Sequence, residues 1–444
     1  MLDDVNIPTS SSPIERDILA LKTDSLLISP LESITSSEHL QQEISSTTLR
    51  DMPSGTLRDM PSGTLRDMPS GTLRDRAWVE IDLSALSHNV RQVKRLLSTN
   101  TELMAVVKAD AYGHGAVTVA RTVLQHGATW LGVATIEEGV ELRKAGINAP
   151  ILILGAIRSP EQIRAIAHFS LQPTLVAPQQ VMVFEDTLAA LNQTIAVHVK
   201  LDTGMSRLGV PWQQGVEFVE LVSRCPHLQI ASIYSHLATA DDPDRTVMQQ
   251  QQQRYENAIA NLRTAGITIP RLHLANSAAA LTDRSLHYDL VRVGLGIYGL
   301  YPAPHLHSVI DLQPVLQVKA RVTQVKIIPK GTGVSYGHQF IAGREMLLAV
   351  VGIGYADGIP RHLSNKMKVS IRGQIIPQVG AITMDQLMLD ASAIPDLQIG
   401  EVVTLIGKDR NNSIGADDWA ATLGTISWEI LCSFKHRLPR VAVK

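Results

Sequence analysis

The sequence predicts an α/β fold in which a (β/α)8 barrel of the TIM type is followed by a mainly antiparallel β domain. Between residues 103 and 293, short apolar segments alternate with turns and amphipathic segments, which is the rhythm of parallel strand–helix units. Beyond about residue 311, apolar segments are joined by short turns of Gly, Pro, Asp and Asn, which is typical of antiparallel sheet. Residues 1–75 are rich in Ser, Thr and Pro and contain no aromatic residue, which predicts a disordered N-terminal tail.

The tail contains a tandem octapeptide. The unit Thr-Leu-Arg-Asp-Met-Pro-Ser-Gly starts at Thr48, Thr56 and Thr64, and a partial copy starts at Thr72. Each unit is short and polar and carries one proline and one glycine, so neighbouring units cannot stack around an apolar core as solenoid repeats do. We therefore predict a low-complexity extension over residues 1–75, with a repeated docking peptide as the functional alternative.

Eight apolar segments provide the predicted barrel strands. They are residues 103–107, 130–133, 151–154, 172–176, 195–201, 230–234, 271–274 and 290–293. The segments between them, among them residues 116–124, 136–145, 160–168, 215–224 and 244–264, have helical periodicity. A strand over residues 78–82 and a helix that ends at Leu97 precede these units, so the predicted barrel domain spans residues 76–312.

The remaining residues, 313–444, are predicted to form the β domain. Its predicted strands are residues 315–325, 347–353, 367–371, 374–377, 387–390 and 401–406. One long helix over residues 416–437 is predicted near the C-terminus.

Composition excludes several classes of protein. Hydrophobic residues make up 45% of the chain, and the formal net charge of −2 gives no reason to expect nucleic acid or a membrane surface as a partner. Two cysteines, Cys225 and Cys432, are too few for a disulfide framework and indicate a reducing compartment. The acidic N-terminus does not resemble a secretory signal, and no apolar run approaches the roughly 18 residues of a membrane span. We expect a cytoplasmic protein.

Unusual polar residues follow the predicted barrel strands, where the functional site of such a barrel lies. These residues are Lys108, Lys200, Asp202, Arg207, His236, Asn276, Ser277, Arg292, Gly294 and Gly296. Each has an ordinary explanation when taken alone; Lys108, for example, could extend its amine from a strand end into solvent. Together, several cations, a hydroxyl and glycines at one rim predict a site for an anionic ligand that carries a phosphate.

The stretch from Lys108 to Gly115 reads Lys-Ala-Asp-Ala-Tyr-Gly-His-Gly and resembles the pyridoxal 5'-phosphate (PLP) lysine motif of the alanine racemase family. Further segments resemble other motifs of that family: residues 200–209, 234–241, 273–277, 291–299, 334–337, 354–358 and 382–386. The resemblance extends over residues 76–440, whereas the tail lies outside the family pattern.

The resemblance implies an isomerase that interconverts L-alanine and D-alanine and supplies D-alanine for peptidoglycan synthesis in a bacterial cytoplasm. PLP would be bound to Lys108 as an imine, and two bases would serve the two faces of the α-carbon. Lys108 would serve the face of the D-enantiomer and Tyr336 that of the L-enantiomer. Because the family forms head-to-tail homodimers with shared active sites, Tyr336 would come from the other subunit.

The resemblance also implies roles in binding the cofactor. Tyr112, Ser277, Gly294 and Leu295 would hold the phosphate, and His236 and Asn276 would lie against the cofactor. Arg292 would face the pyridine nitrogen, where an always-charged guanidinium would keep that nitrogen unprotonated. At the position of a phosphate-binding tyrosine that many members have, this sequence carries His436, which can also donate a hydrogen bond.

The remaining implied roles concern the substrate. Arg207 would contact its carboxylate and the phenolic oxygen of the cofactor. Met384 and Asp385 of the partner subunit would line the substrate pocket, and Tyr355 would narrow the entrance. Lys200 matches a position that is carbamylated in many members. No metal ion is expected.

Three alternatives remain at this point. The first is a racemase of the same family with broad specificity or a preference for serine. The second is a non-catalytic PLP carrier, against which residues 313–440 and Tyr336 argue, because such carriers consist of the barrel alone. The third is a related decarboxylase of basic amino acids, which would need a catalytic cysteine loop in the β domain that Cys432 does not provide.

Overall fold

The computed structural model of the chain describes residues 74–434 and 436–444. The predicted disordered tail and its octapeptides lie outside these residues, apart from Arg74 and Asp75. The described chain opens with strand β1 (Ala77–Asp82) and helix α1 (Leu83–Leu96). The Asp82 carboxylate accepts a hydrogen bond from the Ala85 amide (2.9 Å) and so caps the start of α1.

A ring of parallel strands follows. The strands are β2 (Glu102–Val106), β3 (Trp130–Val133), β4 (Ile151–Ala156), β5 (Gln172–Leu175), β6 (Ile195–Asp202), β7 (Val210–Pro211), β8 (Leu228–Tyr234), β9 (Leu272–His273) and β10 (Leu290–Val293). Their hydrogen-bonded order is β10, β2, β3, β4, β5, β6, β8, β9, and β7 pairs only with the end of β6. At the junction of β9 and β10, the Arg292 amide donates to the Ala275 carbonyl (3.0 Å). The predicted eight-stranded parallel barrel is confirmed.

Helices connect these strands. They are α2 (Lys108–Gly113), α3 (Ala116–Gln125), α4 (Ile136–Lys144), α5 (Pro160–His168), α6 (Pro178–Leu191), α7 (Gly215–Ser223), α8 (Thr246–Thr264) and α9 (Ser277–Thr282). The start of α4 is fixed by reciprocal hydrogen bonds between Thr135 and Glu138, and that of α5 by the same arrangement of Ser159 and Gln162. Within the described residues, no helix is both long and apolar enough to cross a membrane.

The C-terminal strands form a second, mainly antiparallel sheet and a separate two-stranded sheet. They are β11 (Leu316–Ile328), β12 (Gly333–Val334), β13 (Phe340–Ile341), β14 (Met346–Val351), β15 (Lys368–Ile371), β16 (Gln374–Pro377), β17 (Leu387–Asp390), β18 (Val402–Asp409), β19 (Asn412–Ile414) and β20 (Arg440–Val443). The main path runs β16, β15, β18, β11, β1, β20, with β14 on β11 and β17 on β14. The predicted antiparallel β domain is confirmed, and β12 and β13 form the separate two-stranded sheet.

Strand β1 belongs to this second sheet and not to the barrel. It pairs antiparallel with β11 and parallel with β20. The domain boundary at residues 312 and 313 stays a prediction, but the first strand of the predicted barrel domain lies in the sheet of the other domain. Apolar alternation in β1 indicates a strand without indicating its partner.

The single helix predicted over residues 416–437 is wrong. The structure has two short helices there, α10 (Ala416–Leu423) and α11 (Ser427–Ser433). Gly424 ends α10 in the left-handed region with φ of +70°, and Ile426 is extended before α11 begins. Glycine adopts this conformation without a steric penalty, and it is the usual residue at the end of a helix.

His114, in the loop after α2, is a buried neutral histidine. Its side chain is 1% exposed and its ring packs on that of Tyr298 at 4.4 Å between centroids. Nδ1 lies 2.9 Å from the Ala111 carbonyl and 3.0 Å from that of Tyr112, so Nδ1 carries the proton and donates. Burial lowers the pKa of His114 to about 4, and the charge of Arg440 acts in the same direction.

We expect acid to destabilise the fold through His114. Because the pKa of His114 is about 4 in the folded state and about 6.5 when unfolded, the unfolded chain binds the proton first. The contribution of neutral His114 to the free energy of unfolding is fully present above pH 6.5. Below pH 6.5, this contribution falls by up to about 1.4 kcal/mol per pH unit. Urea unfolding at pH 7 and pH 5 should therefore show that the free energy of unfolding decreases less in His114→Asn than in the wild type.

His305 provides the matched control, since it is exposed. His305→Asn should lose as much stability between pH 7 and pH 5 as the wild type does. Equal losses in His114→Asn and the wild type would show that the acid sensitivity does not come from His114.

Candidate active site

A cavity of about 750 Å³ opens at the carboxyl ends of the barrel strands. Ten of the predicted site residues line it: Lys108, Tyr112, Lys200, Arg207, His236, Asn276, Ser277, Arg292, Gly294 and Leu295. These residues come from strand ends separated along the chain, and the parallel arrangement of the strands brings them to one rim. The volume suits a ligand of the size of a cofactor together with a small substrate.

Lys108 and Tyr112 reach the cavity from a turn with a left-handed backbone conformation. Residues 109–112 have φ angles between +52° and +54°, so this segment of α2 winds left-handed. Such a conformation costs roughly 1–2 kcal/mol per residue without glycine. The Glu138 carboxylate helps to offset this cost by accepting from the Ala109 amide, and the Asp110 carboxylate accepts from the Ala116 amide, both at 2.7 Å.

The end of this turn is held against the β domain. Gly113 has φ of +81°, and a Cβ atom at this position would lie 2.5 Å from the Leu431 carbonyl oxygen. The Arg440 guanidinium donates to the Gly113 carbonyl (3.0 Å). Only glycine combines this backbone conformation with such a close approach.

One end of the cavity presents hydroxyl and amide groups. The Ser277 hydroxyl accepts from the Gly294 amide (3.0 Å), and a Cβ at Gly294 would lie 2.6 Å from the Tyr112 hydroxyl oxygen. Asn276, just before Ser277, caps α9 by accepting from the Ala279 amide (3.0 Å). Burial raises the pKa of Tyr112, so its hydroxyl stays protonated and can donate to an anion.

Arg292 is a buried cation in the wall of the same cavity. It is 4% exposed, and its guanidinium donates to the carbonyls of Ser235 (2.7 Å) and Leu274 (3.0 Å) and to His273 Nδ1 (2.9 Å). It also lies over the Tyr234 ring. Burial lowers the pKa of Arg292 to about 10, so it stays charged at neutral pH. Among the described residues, no carboxylate forms an ion pair with Arg292.

Lys200 is the second buried cation. It is 5% exposed, with its amine over the Tyr234 ring. Burial, followed by the charges of Arg292 and Arg207, lowers the pKa of Lys200 to about 8, whereas Asp202 acts in the opposite direction. A neutral amine is therefore accessible in this site at mildly alkaline pH.

His236 and Arg207 also line the cavity. His236 Nδ1 lies 3.3 Å from Arg292 Nη2, whose two N–H groups already have the nearer Ser235 and Leu274 carbonyls as acceptors. Burial and the neighbouring cations lower the pKa of His236 well below its usual value. The exposed Arg207 follows a turn in which the Asp202 carboxylate accepts from the amides of Gly204 and Ser206.

The other five predicted residues do not line this cavity. Tyr336 is 72% exposed, Met384 52% and Tyr355 41%, all in turns of the β domain. The Asp385 carboxylate accepts from the Arg437 guanidinium (2.7 Å). His436 is exposed.

These exposed turns adjoin one another. The Tyr355 amide donates to the Thr383 carbonyl (3.0 Å) and the Ala356 amide to that of Met384 (3.0 Å). The Ser335 hydroxyl donates to the Ala381 carbonyl (2.7 Å), which ties the turn of Tyr336 to the same region. We call Tyr336, Tyr355, Met384 and Asp385 the turn cluster.

Sequence reasoning missed some of the residues that line the cavity and some of the residues that pack behind them. Ile426, Trp428 and Cys432, in and just before α11, line the cavity. The prediction of one continuous helix obscured the bend that turns these residues toward it. His273 and Tyr234, whose rings stack at 4.6 Å, lie in segments that match family motifs but had no assigned role.

Comparisons with known proteins agree with this geometry. Residues 81–302 match the alanine racemase N-terminal domain family, and residues 315–442 match the alanine racemase C-terminal domain family. Alanine racemase of Nostoc sp. is 68% identical over 370 residues, which cover 83% of this chain and 96% of that protein. Alanine racemase of Synechocystis sp. is 63% identical over 368 residues, which cover 83% of this chain and 99% of that protein.

Solved structures agree as well. Alanine racemase of Clostridium difficile 630 is 33% identical with a TM-score of 0.79, over 83% of this chain and 96% of that one. The crystal structure of alanine racemase from Bacillus anthracis with bound L-Ala-P is 34% identical with a TM-score of 0.79, over 84% and 95% of the two chains. The chain, an enzyme with both domains of these racemases, belongs to the alanine racemase family.

Proposed function

We propose that this enzyme racemises alanine with PLP as its cofactor, in a homodimer whose two active sites each combine residues of both subunits. The observation that carries the proposal is the composition of the cavity wall, which combines Lys108 with hydroxyl and amide groups and with the buried cations Lys200 and Arg292. The membership of the chain in the alanine racemase family supports the reaction.

The residues of the cavity fit PLP. Its phosphate needs donors, and the Tyr112 and Ser277 hydroxyls and the amides of Gly294 and Leu295 offer them. Its carbonyl needs an amine, which Lys108 supplies. Arg292 has no carboxylate partner among the described residues and would face the ring nitrogen as a pure donor. When bound, PLP withdraws electrons from the α-carbon of an attached amino acid and so makes the α-proton acidic.

Two residues of this chain would move the proton. Lys108 Nζ would take or return it on one face of the α-carbon, and the phenolic oxygen of Tyr336 would do so on the opposite face. Racemisation needs both, since a single base returns the proton to the face from which it came. Arg207 would bind the substrate carboxylate, and Asn276, His236 and the exposed His436 would contribute further contacts to the cofactor.

The exposure of the turn cluster supports the shared site. Tyr336, Tyr355 and Met384 are large side chains at adjoining turns, and all are exposed in a single chain. Clustered exposed apolar and aromatic side chains are typical of surfaces that meet a partner. In the homodimer, the turn cluster would cover the cavity of the other subunit, and Met384 and Asp385 would line the substrate pocket there.

We place the enzyme in a bacterial cytoplasm, where D-alanine serves peptidoglycan synthesis. The relatives named alanine racemase from Nostoc sp. and Synechocystis sp. support a bacterial setting. The two cysteines of the chain support a reducing compartment.

Mixing two inactive variants tests the shared site. Lys108→Ala and Tyr336→Phe should each lower the rate of D-alanine formation from L-alanine by at least about 100-fold, because each removes one of the two bases. After the two are unfolded and refolded together, half of the dimers should be mixed, and each should have one intact site. Chiral analysis should then show about one quarter of the wild-type rate.

Refolding each variant alone gives the control, and neither variant should gain racemase activity. Failure of the mixture to exceed the separate variants would mean that Lys108 and Tyr336 act within one chain.

A second prediction concerns the phosphate end of the cavity. In Gly294→Ala, the new methyl group would displace the Tyr112 hydroxyl, which lies 2.6 Å from the Cβ position. We expect PLP to bind about 10- to 100-fold more weakly, as measured by absorbance after dialysis against graded PLP.

Gly343→Ala is the matched control for this change. Gly343 is exposed and a Cβ there meets no atom within 4 Å, so PLP affinity should not change. Wild-type affinity in Gly294→Ala would contradict a phosphate site at this position.

A third prediction concerns modification of Lys200. Carbamylation requires a neutral amine, and the pKa of Lys200 is lowered to about 8. A carbamate would replace a cation by an anion beside Arg207 and Arg292. After incubation with ¹³C-bicarbonate at pH 8, ¹³C NMR should show a carbamate signal that acid removes.

The signal should be lost in Lys200→Arg. It should persist in Lys319→Arg, where the partly buried lysine pairs with Glu80 (2.7 Å) and arginine can keep that ion pair. A signal that survives in Lys200→Arg would assign the modification to another lysine.

A further inference from the structure

A chain of polar side chains crosses the interior of the barrel beneath the cavity. Gln172 Oε1 lies 2.8 Å from His198 Nε2, and His198 Nδ1 lies 2.6 Å from the Ser232 hydroxyl oxygen. That oxygen lies 2.7 Å from His273 Nε2, and His273 Nδ1 lies 2.9 Å from Arg292. The five residues belong to five different strands, from β5 to β10. We call them the buried relay.

Arg292 fixes the direction of every hydrogen bond in the buried relay. A guanidinium has no acceptor, so His273 Nδ1 must accept and the His273 proton must be on Nε2. That proton is donated to the Ser232 oxygen, so the Ser232 hydroxyl donates to His198 Nδ1. His198 then carries its own proton on Nε2 and donates it to Gln172.

The far end agrees with this direction. The atom of Gln172 that meets His198 is the carbonyl oxygen, which is the acceptor that the chain of donors requires. Both histidines must be neutral, and burial lowers the pKa of His198 to about 3 and that of His273 well below its usual value. The whole buried relay therefore has one self-consistent arrangement of protons.

Within residues 74–434 and 436–444, the side chains of His198, Ser232 and His273 have no hydrogen-bond partners outside the buried relay. His198, Ser232 and His273 are each 0% exposed. The Trp130 ring meets His198 edge-on at 5.6 Å, and the Tyr234 ring stacks on His273. A reversed hydrogen bond would place two N–H groups against each other without water to separate them, which is costly in a dry interior.

We propose that Gln172, His198 and Ser232, none of which lines the cavity, are positioning residues for racemisation: they hold His273 with its proton on Nε2, so that Nδ1 accepts from Arg292 and fixes the guanidinium at the cavity floor. The proposal rests on the proposed function, because the fixed guanidinium would face the ring nitrogen of PLP. It extends the set of residues that control the reaction to the opposite side of the barrel interior.

Gln172→Glu is the sharpest test, since it keeps the shape of the side chain. A carboxylate beside His198 Nε2 favours the doubly protonated ring, whose Nδ1 would then donate. The Ser232 hydroxyl would then have to donate to His273 Nε2. The His273 proton would move to Nδ1, where it would face an N–H group of Arg292. We expect kcat to fall by about 10- to 100-fold with KM for alanine changed by less than about twofold.

Histidine ¹⁵N NMR of the full-length holoenzyme supplies a readout apart from activity. In the wild type, His198 and His273 should both show the Nε2-protonated neutral pattern, with His198 assigned through its loss in His198→Asn. In Gln172→Glu, His198 should become cationic and His273 should change its tautomer. Gln162→Glu is the matched control: Gln162 caps α5 with its side-chain oxygen only, so neither kcat nor the two histidines should change.

Ser232→Ala gives a second, milder test in case Gln172→Glu does not fold. It cuts the buried relay between the two histidines, and kcat should fall by about 3- to 10-fold and recover in Ser232→Thr, which restores the hydroxyl. Lower activity with unchanged histidine tautomers in both variants would overturn the proposal, as would changed tautomers with wild-type kcat. The proposed function itself would be wrong if alanine racemisation by the wild-type enzyme did not depend on PLP, and this is measured before any variant is compared.

Discussion

The buried charge of Arg292 sets conditions that its whole neighbourhood must meet. A guanidinium that is 4% exposed needs an acceptor for each donor, because an unsatisfied donor in the interior is costly. The Ser235 and Leu274 carbonyls accept from Nη2 at the ends of β8 and β9, and the His273 ring nitrogen accepts from Nη1. One residue thereby connects two strand ends, fixes the proton of the His273 imidazole and leaves a positive charge on the cavity wall.

The turn that follows Lys108 is held by contacts from both parts of the chain. The left-handed turn at residues 109–112 is unfavourable by itself, and it is held by Glu138 from the barrel side. Arg440 and Leu431 of the β-domain segment contact the same turn at Gly113. The position of Lys108 therefore depends on contacts from both parts of the chain, although the lysine itself follows a barrel strand.

Periodicity predicted the barrel and the antiparallel sheet, because alternation between apolar and polar residues reports directly which side of an element is buried. It did not predict the break at Gly424, since apolar spacing continues through it. The left-handed turn was hidden because none of residues 109–112 is glycine. Ten site residues were brought to one cavity as expected, but the buried relay of Gln172, His198 and Ser232 was not foreseen, because the register between strands decides which inward-facing side chains meet.

The pairing of β1 with β20 has a consequence for synthesis. The register joins Val79 to Arg440 and Asp82 to Val443, so β1 has one of its two neighbours about 360 residues further along the chain. The barrel is in effect an insertion into the β sheet and not a module placed before it. During translation, this edge of the sheet cannot close until residues 440–443 have left the ribosome, which is after the whole barrel has been made. Completion of the sheet is thus a late step, however early the barrel helices form.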